Sequence, residues 1–329
     1  MEWREVPEPV RACCAALWAA GETACPVGGC VRDSLLGRRP EDWDVATSAR
    51  PETVRALFPR TVPTGLRHGT VTVLLGGMSL EVTAFRREEG YSDGRRPDRV
   101  VFGVGLTEDL ARRDFTINAM ALLPDGRVAD PFGGQADLRA GLVRCVGDPA
   151  ARFREDALRM LRAVRFAAQL GFAVEEGTAA ALEREAAGLD RVSAERVRVE
   201  LEKILLSPRP AFAALPAALG MLSRFGVPAR PVDLTALTAL PPTPEERWRG
   251  FCRLTGLDIT TLPVERRLRR AVLADPAPVP ALTGGALYRM GLRGAAIGAA
   301  LDALRTHISE HPEDNTEERL LFILKKRGL

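Results

Sequence analysis

The sequence contains few histidines and no paired cysteine motif, and this scarcity argues against two kinds of site. Only three histidines are present, and none of the six cysteines belongs to a C-x-x-C motif. Zinc sites usually combine closely spaced Cys and His residues, and disulfide frameworks are typical of short secreted chains. We therefore expect neither kind of site, and we expect the protein to work in the reducing cytoplasm.

Long apolar runs are also absent. A membrane-spanning helix needs about 18 or more consecutive apolar residues, and no stretch of the sequence approaches that length. The short apolar run at residues 12–20 follows an acidic leader that contains Glu2, Glu5 and Glu8, whereas a secretory signal begins with basic residues. The run is therefore expected to form a first helix, and no membrane partner is expected.

Lysine is the third scarcity, because it occupies only three of the 46 basic positions, namely Lys203, Lys325 and Lys326. The other basic residues are arginines, whose planar guanidinium groups suit phosphates and nucleobases. A genome rich in G and C explains the same bias equally well. The net charge of only +3 indicates no particular partner.

The pattern of elements changes along the 329 residues and predicts an α+β chain of about two domains. The first part, to about residue 148, reads as a small mixed sheet with helices, and the remainder reads as all-helical. Residues 86–98 are charged and turn-rich, which predicts a loop, and Thr107 is expected to cap a helix. Helices are expected at 8–20, 31–36, 51–58, 150–170, 178–188 and 193–206, and strands at 43–46, 68–75, 79–85 and 100–103.

The most informative segment is residues 27–47, which ends in the alternating pair Asp42 and Asp44 around Trp43. Side chains alternate between the faces of a strand, so both carboxylates are expected on one side. Mg²⁺ prefers carboxylate oxygens together with substrate phosphates. The preceding glycine pair, Gly28 and Gly29, opens a short helix whose N–H groups suit a phosphate. The segment therefore predicts metal-assisted nucleotidyl transfer.

Glu81 lies in a strand that has an apolar inner face formed by Leu80, Val82 and Ala84. Its carboxylate could complete a metal site beside the aspartate strand. An ordinary solvent-facing glutamate fits the same alternation, and both interpretations stay open at this point.

Two arginine-rich segments have a similar ambiguity. In RRDFTINAM, residues 112–120, the arginines could bind the last carbonyls of a helix or reach a triphosphate. In residues 154–166, Asp156, Arg159, Arg162 and Arg165 recur at every third position. On a helix this spacing suits an elongated ligand such as a nucleoside triphosphate, and it equally suits a solvated surface with i,i+3 ion pairs.

Four segments in order carry a family resemblance over residues 24–206: VGGCVRDSLLGRRPEDWDVAT, RRDFTINAM, DPFGGQADL and REDALRMLRAVRFAAQLGF. Together they resemble the bacterial CCA-adding tRNA nucleotidyltransferases, a class II family that includes bacterial poly(A) polymerases. The resemblance implies a polymerase-β-like nucleotidyltransferase head at residues 1–148. It further implies a helical neck for base recognition at 149–206 and a helical body and tail for the tRNA acceptor stem and elbow at 207–329.

The resemblance also implies a reaction, in which the 3′-hydroxyl of tRNA attacks the α-phosphate of CTP or ATP and pyrophosphate leaves. It implies Asp42 and Asp44 as Mg²⁺ ligands, Glu81 as a third catalytic carboxylate, and Asp156 with Arg159 as the groups that read the base. The residues implied to contact the incoming nucleotide are Gly28, Gly29, Arg32, Arg113, Asp156, Arg159, Arg162 and Arg165.

The alternatives within the family are a poly(A) polymerase and a partial enzyme that adds only CC or only A. The segment 86–98 corresponds to a loop that CC-only enzymes of the family lack, which argues against that specificity. Alternatives outside it are a non-catalytic RNA-binding protein and a nucleotidyltransferase that acts on a small molecule.

Overall fold

The computed structural model describes residues 2–91, 94, 97–274 and 280–326. Residues 275–279, within a proline-rich segment, and the last three residues, 327–329, lie outside them. The chain divides into two compact units, Met1–Arg269 and Arg270–Leu329. The finer division into head, neck and body-tail stays a prediction.

The helical and strand segments follow the α+β order predicted from the sequence. The strands are β1 Ala24–Val27, β2 Asp44–Thr47, β3 Thr61–Gly65, β4 Thr70–Leu75, β5 Met78–Ala84, β6 Arg86–Glu89, β7 Arg99–Phe102, β8 Ala121–Leu122, β9 Val128–Ala129, β10 Leu142–Val143 and β11 Ala173–Val174. The helices are α1 Glu8–Ala19, α2 Gly29–Leu35, α3 Pro51–Leu57, α4 Leu106–Ala111, α5 Gly134–Ala140, α6 Pro149–Glu155, α7 Leu158–Leu170, α8 Glu176–Glu185, α9 Ala194–Leu205, α10 Ala214–Ala218, α11 Pro244–Thr255, α12 Arg266–Leu273, α13 Gly284–Arg289, α14 Ala295–Glu310 and α15 Glu317–Lys326.

A seven-stranded mixed sheet organises the first unit, with the strand order β3-β4-β5-β2-β1-β8-β9. The β2–β5 pair is parallel and the other pairs are antiparallel. Gly76 and Gly77 form the hairpin turn between β4 and β5, as predicted. Cys25, Val27 and Ala46 pack with Leu110 in one apolar core of the sheet. The central position of β2 in the sheet fixes the backbone that carries Asp44.

Two local predictions were wrong. Arg86–Glu89 is not loop, because it forms β6 and pairs antiparallel with β7, and ion pairs within β6 satisfy the charges that suggested a loop. Residues 92, 93, 95 and 96 of the predicted loop lie outside the described residues. The cap of α4 is Gly105 rather than Thr107, because the Glu108 carboxylate accepts a hydrogen bond from the Gly105 N–H at 3.0 Å.

The helical part of the first unit packs α7 against α9 and α6 against α8. Leu161 and Val164 of α7 are fully buried, as are Leu201 and Ile204 of α9. The opposite side of α7 carries arginines, so the helix joins an apolar core on one side to a polar surface on the other.

The second unit has a helical core of its own. Leu287 of α13, Leu304 of α14, and Leu320 with Leu324 of α15 are its buried residues. Phe322 of the same α15 is 62% exposed. Across the described residues, every helix is too short or too polar to reach through a lipid bilayer.

Candidate active site

Two carboxylates occupy neighbouring positions in the middle of the sheet, and a third precedes one of them in the chain. Asp44 begins β2 and is in register with Glu81 on the parallel neighbour β5, and Asp42 precedes it by two residues. Trp43 between the two aspartates is only 5% exposed, whereas Asp42 is exposed and Asp44 is half-buried. Strand β2 begins only at Asp44, so the strand alternation expected for the pair does not extend to Asp42. Burial, together with the negative charges of Glu81 and Asp42, raises the pKa of Asp44 to about 6 against the opposing charge of Arg113.

This donor set fits a hard divalent cation. The negative charges of Asp42 and Glu81 repel the charge of the half-buried Asp44 carboxylate. A bound cation would remove that repulsion. Within the described residues, no three acidic, His or Cys side chains form a complete ligand set. An ion at Asp42 and Asp44 would therefore need further oxygens, and Mg²⁺ is commonly held by one or two carboxylates plus substrate phosphates.

A glycine turn lies next to these carboxylates. Gly28 has φ +80° and ψ −129° and precedes α2, which begins at Gly29. A Cβ atom at Gly28 would lie 2.8 Å from the Arg113 Nη1 atom. Only glycine therefore permits both this backbone conformation and the close approach of Arg113.

The two arginine positions of the head bind acidic neighbours. The Arg32 guanidinium donates to both oxygens of Asp33 at 2.9 Å and to Asn118 Oδ1 at 2.6 Å. Arg113 pairs with the buried Asp109 at 3.4 Å, whereas its Nε atom has no hydrogen-bond partner within the described residues. Within the described residues, the Arg113 guanidinium therefore binds Asp109 and not the helix carbonyls, and its Nε atom is buried.

The helix predicted over residues 150–170 is interrupted. Helix α6 ends at Glu155, Asp156 is extended with φ −148° and ψ 103°, and α7 begins at Leu158. The Asp156 carboxylate accepts a hydrogen bond from the Leu158 N–H and pairs with Arg196 at 2.7 Å. The spacing argument made for a continuous helix was therefore wrong for Asp156, because this residue precedes α7 and its side chain binds the Leu158 N–H and Arg196 instead of continuing the row of arginines.

The three arginines of α7 each have a fixed partner. Arg159 pairs with Glu155, Arg162 with Asp114 and Arg165 with Glu200. None of these is an i,i+3 pair on the helix, so the interpretation as a solvated surface with such pairs does not describe α7. The Arg162 guanidinium and the hydrogen bond from Asn118 lower the pKa of the buried Asp114 to about 2.

One cleft of about 1370 Å³ contains nearly all of these groups. Every residue singled out from the sequence lines the cleft except Glu81, which is exposed on the strand beside Asp44. Drug-sized ligands occupy pockets of roughly 300–1,000 Å³, so this cleft exceeds the size of a single small ligand. The lining residues are mostly charged or polar, as expected for an anionic ligand.

The sequence interpretation missed four polar residues that hold the predicted ones in place, namely Asp114, Asn118, Arg196 and Glu200. Asp114 and Asn118 flank the apolar residues Phe115 and Ile117 in the segment RRDFTINAM, and polar residues beside such apolar ones are the signal that could have revealed them. Arg196 and Glu200 are four residues apart on α9, so both can face α7.

Two family models match this chain. The Poly A polymerase head domain matches residues 25–144, and the model described as a probable RNA and SrmB-binding site of polymerase A matches residues 171–215.

Curated relatives include the CCA-adding enzyme of Limosilactobacillus fermentum, which is 54% identical over 199 residues, or 60% of this chain and 50% of the relative. The CCA-adding enzyme of Lactiplantibacillus plantarum is 55% identical over 58% of this chain and 47% of the relative. The chain thus spans about half the length of the curated relatives it matches.

Solved structures extend the likeness over nearly the whole chain. The Bacillus stearothermophilus CCA-adding enzyme in complex with CTP has a TM-score of 0.66 and 31% identity, and the match covers 98% of both chains. A tRNA nucleotidyltransferase complexed with a primer tRNA and an incoming ATP analogue has a TM-score of 0.53 and 29% identity, over 65% of this chain and 60% of the other. Together with the head-domain match, this coverage shows that the chain belongs to the nucleotidyltransferase family of the CCA-adding enzymes.

Proposed function

We propose that this protein adds C, C and A to the 3′ end of tRNA, taking the nucleotides from CTP and ATP. The observation that carries the proposal is the joint presence, in one cleft, of the Asp42–Asp44 pair and the row of anchored arginines on α7. A metal-binding carboxylate pair supplies the chemistry of nucleotidyl transfer, and fixed arginines supply contacts to a triphosphate and a base.

The proposed catalytic carboxylates are Asp42, Asp44 and Glu81. Asp42 and Asp44 would hold Mg²⁺, with Glu81 on the neighbouring strand in register with Asp44. When bound, two Mg²⁺ ions would assist the in-line attack of the RNA 3′-hydroxyl on the α-phosphate and stabilise the departing pyrophosphate. Because β2 is the central strand of the sheet, it would hold the backbone of Asp44 in a fixed position beside the cleft.

The proposed triphosphate contacts come from the head. Arg113 lies against Gly28, where an added Cβ atom would be 2.8 Å from its Nη1 atom, so its guanidinium is presented beside the glycine turn. Arg32 lies in the last turn of the short helix α2 and lines the same cleft. Both cations would attract the negative charge of CTP or ATP.

The proposed base-reading groups are Asp156 and Arg159, with Arg162 and Arg165 as further nucleotide contacts. A carboxylate accepts and a guanidinium donates hydrogen bonds, so the pair can match the polar edge of C or A. Arg196 fixes Asp156, and Glu155 fixes Arg159. A rigid polar pocket discriminates well because a wrong base leaves buried groups unpaired.

The proposed RNA partner is the tRNA acceptor stem at the cleft and the elbow at residues 207–329. The proposed compartment is the cytoplasm, where tRNA and both nucleotides are available. The residues matched by the RNA-binding family model, 171–215, include α9, which borders the cleft through Arg196 and Lys203.

The direct test is incubation of the full chain with tRNA trimmed to its discriminator base, followed by sequencing of the 3′ ends. CTP alone should give CC ends, and both nucleotides together should give CCA ends. Long A tails without C would identify a poly(A) polymerase, and CC or A alone would identify a partial enzyme. No extension with any nucleotide, with Mg²⁺ present, would overturn the proposal.

A further inference from the structure

Asn118 was not singled out from the sequence. It occupies a buried position between α2 and α7. It ends the short 3-10 turn Thr116–Asn118 and is 7% exposed. Its Oδ1 atom accepts a hydrogen bond from Arg32 Nη1 at 2.6 Å, and its Nδ2 atom donates to Asp114 Oδ1 at 3.1 Å. The amide therefore bridges a cation and an anion.

The bridge continues to α7 through Asp114. The Asp114 Oδ2 atom accepts hydrogen bonds from Arg162 Nε at 2.8 Å and from Arg162 Nη2 at 2.5 Å. Four side chains thus form one continuous chain of hydrogen bonds, Arg32–Asn118–Asp114–Arg162. This chain connects α2, which follows the glycine turn, to α7, which carries the other cleft arginines.

A single aromatic ring lies beneath both ends of this chain. The Arg32 guanidinium carbon is 5.0 Å from the centroid of the Phe166 ring, and that of Arg162 is 5.5 Å away. Cation–π contacts at this range are favourable and also restrict where a guanidinium can lie. The two arginines are therefore held both by the ring and by the hydrogen-bonded chain.

The chemistry of the bridge requires an amide. A neutral amide offers an acceptor to Arg32 and a donor to the Asp114 carboxylate at the same time. A carboxylate at this position would still accept from Arg32, but it would face Asp114 with a like charge. An alanine would leave Arg32 and Asp114 each without one partner in a buried setting.

We propose that Asn118 is a positioning residue for nucleotide binding, because its amide sets the spacing between Arg32 and Arg162 across the cleft. This inference rests on the proposed function, in which both arginines contact the incoming nucleotide. Asn118 acts through these arginines, so its loss should weaken nucleotide binding more than tRNA binding or the chemical step.

The first test compares the kinetics of Asn118→Ala with those of the wild type. The KM for CTP and for ATP should each rise about tenfold, the value expected when a hydrogen bond to a charged group is lost. The KM for tRNA should not change. A folded Asn118→Ala variant with wild-type KM values for both nucleotides would overturn the proposal.

The second test uses the pH profile of Asn118→Asp relative to the wild type. At neutral pH the introduced carboxylate repels Asp114, whereas its protonated form can donate to Asp114 and accept from Arg32, as the amide does. The nucleotide KM deficit should therefore shrink as the pH falls from 8 to 6 for Asn118→Asp, but not for Asn118→Ala. A deficit that does not change with pH would count against the proposal.

The charged groups around this position are Arg32 and Asp33 of α2, Arg113 and Asp114 after α4, Arg162 of α7, and Asp137 of α5, which binds Thr116.

Thr116→Val is a matched control in the same 3-10 turn. The Thr116 hydroxyl donates to Asp137 Oδ2 at 2.6 Å, and Thr116 does not line the cleft. Its removal should lower the Tm about as much as Asn118→Ala does, without raising the KM for either nucleotide. An equal rise in nucleotide KM for both variants would show a general loss of structure and would overturn the positioning role.

Calorimetric binding of Mg·CTP to the same proteins separates this inference from the proposed function. If the wild type binds CTP but extends no tRNA, the proposed function fails, and the Asn118 variants can still be judged by their loss of CTP affinity. If the wild type extends tRNA and Asn118→Ala binds CTP normally, only the positioning role fails.

Discussion

At the scale of single residues, we expect the ionised Asp44 carboxylate to lower the stability of the fold at neutral pH, although the proposed reaction needs it. Its pKa is raised to about 6 by burial and by nearby carboxylates. A carboxyl group with a higher pKa in the folded than in the unfolded chain stabilises the fold while it is protonated, and this contribution is lost as the pH rises from about 4 through about 6. Asp44→Asn should therefore raise the Tm at pH 7 by about 4 °C while abolishing nucleotide incorporation.

Calorimetry at two pH values checks this prediction. The gain in Tm should shrink towards pH 4 and vanish below about pH 3, where Asp44 is protonated in both the folded and the unfolded chain. Glu52→Gln, on an exposed position of α3, is the control and should change neither the Tm nor incorporation. Retained turnover in Asp44→Asn would contradict the proposed role of this carboxylate.

Gly28 gives a second prediction for a single residue. Alanine at this position would adopt a strained φ of +80° and place its Cβ 2.8 Å from Arg113 Nη1. Gly28→Ala should cost about 1–3 kcal/mol of stability and should also raise the KM for both nucleotides. Gly21→Ala has a similar φ of +84° with nothing within 4 Å of the Cβ, so it should be strained without any kinetic effect. Denaturant unfolding and steady-state kinetics on both variants measure the difference.

The sequence could reveal those residues of the candidate site that lie close together along the chain. Asp42, Asp44, Gly28 and Arg113 were singled out from adjacent positions, and the structure brings all four to one cleft. The partners of these residues could not be found in this way, because Asp114 meets Arg162 across 48 positions and Asp156 meets Arg196 across 40. Such pairs depend on how α7 and α9 pack, which local patterns do not encode.

At the scale of elements, the break between α6 and α7 is the feature that positions Asp156. The Arg196 guanidinium of α9 binds both oxygens of Asp156, at 3.2 and 2.7 Å. Arg196→Ala should therefore free the Asp156 carboxylate and reduce the preference for CTP and ATP over UTP and GTP. Misincorporation measured by sequencing of extended tRNA is the readout.

Arg198→Ala is the matched control for this prediction. Arg198 lies on the same helix and pairs with Glu202 of that helix at 3.1 Å, and it does not line the cleft. It should keep the wild-type nucleotide preference. Unchanged fidelity in Arg196→Ala would mean that Asp156 is held adequately by its hydrogen bond from Leu158 alone.

The elements themselves were largely predictable from apolar periodicity and turn residues. The β4–β5 hairpin and α1, α3 and α9 occur where the patterns indicated them. The prediction failed at β6, where the high charge suggested a solvated loop. The two arginines of β6 instead pair with its two glutamates, each two positions further along the strand. The prediction also failed at Asp156, because the apolar period continues through a position where the backbone is extended.

At the scale of the whole molecule, the cleft is formed entirely by the first compact unit. A chain that ends after Ala274 should therefore bind CTP with unchanged affinity, while its KM for tRNA rises because the proposed elbow contacts are lost. Calorimetric CTP titration and tRNA kinetics measure the two effects. Loss of CTP binding by a truncated chain that is still folded would contradict this independence.

Trp43 separates the two aspartates of the pair and turns its indole into the core. A change in charge at the flanking carboxylates alters the electric field along the peptide backbone next to this indole. Ion occupancy should therefore shift the emission wavelength of Trp43, which can be isolated by replacing the three other tryptophans with phenylalanine. If the proposed ion binds at this pair, Trp43 would serve as an intrinsic optical reporter, and binding and release could be followed in real time without an added dye.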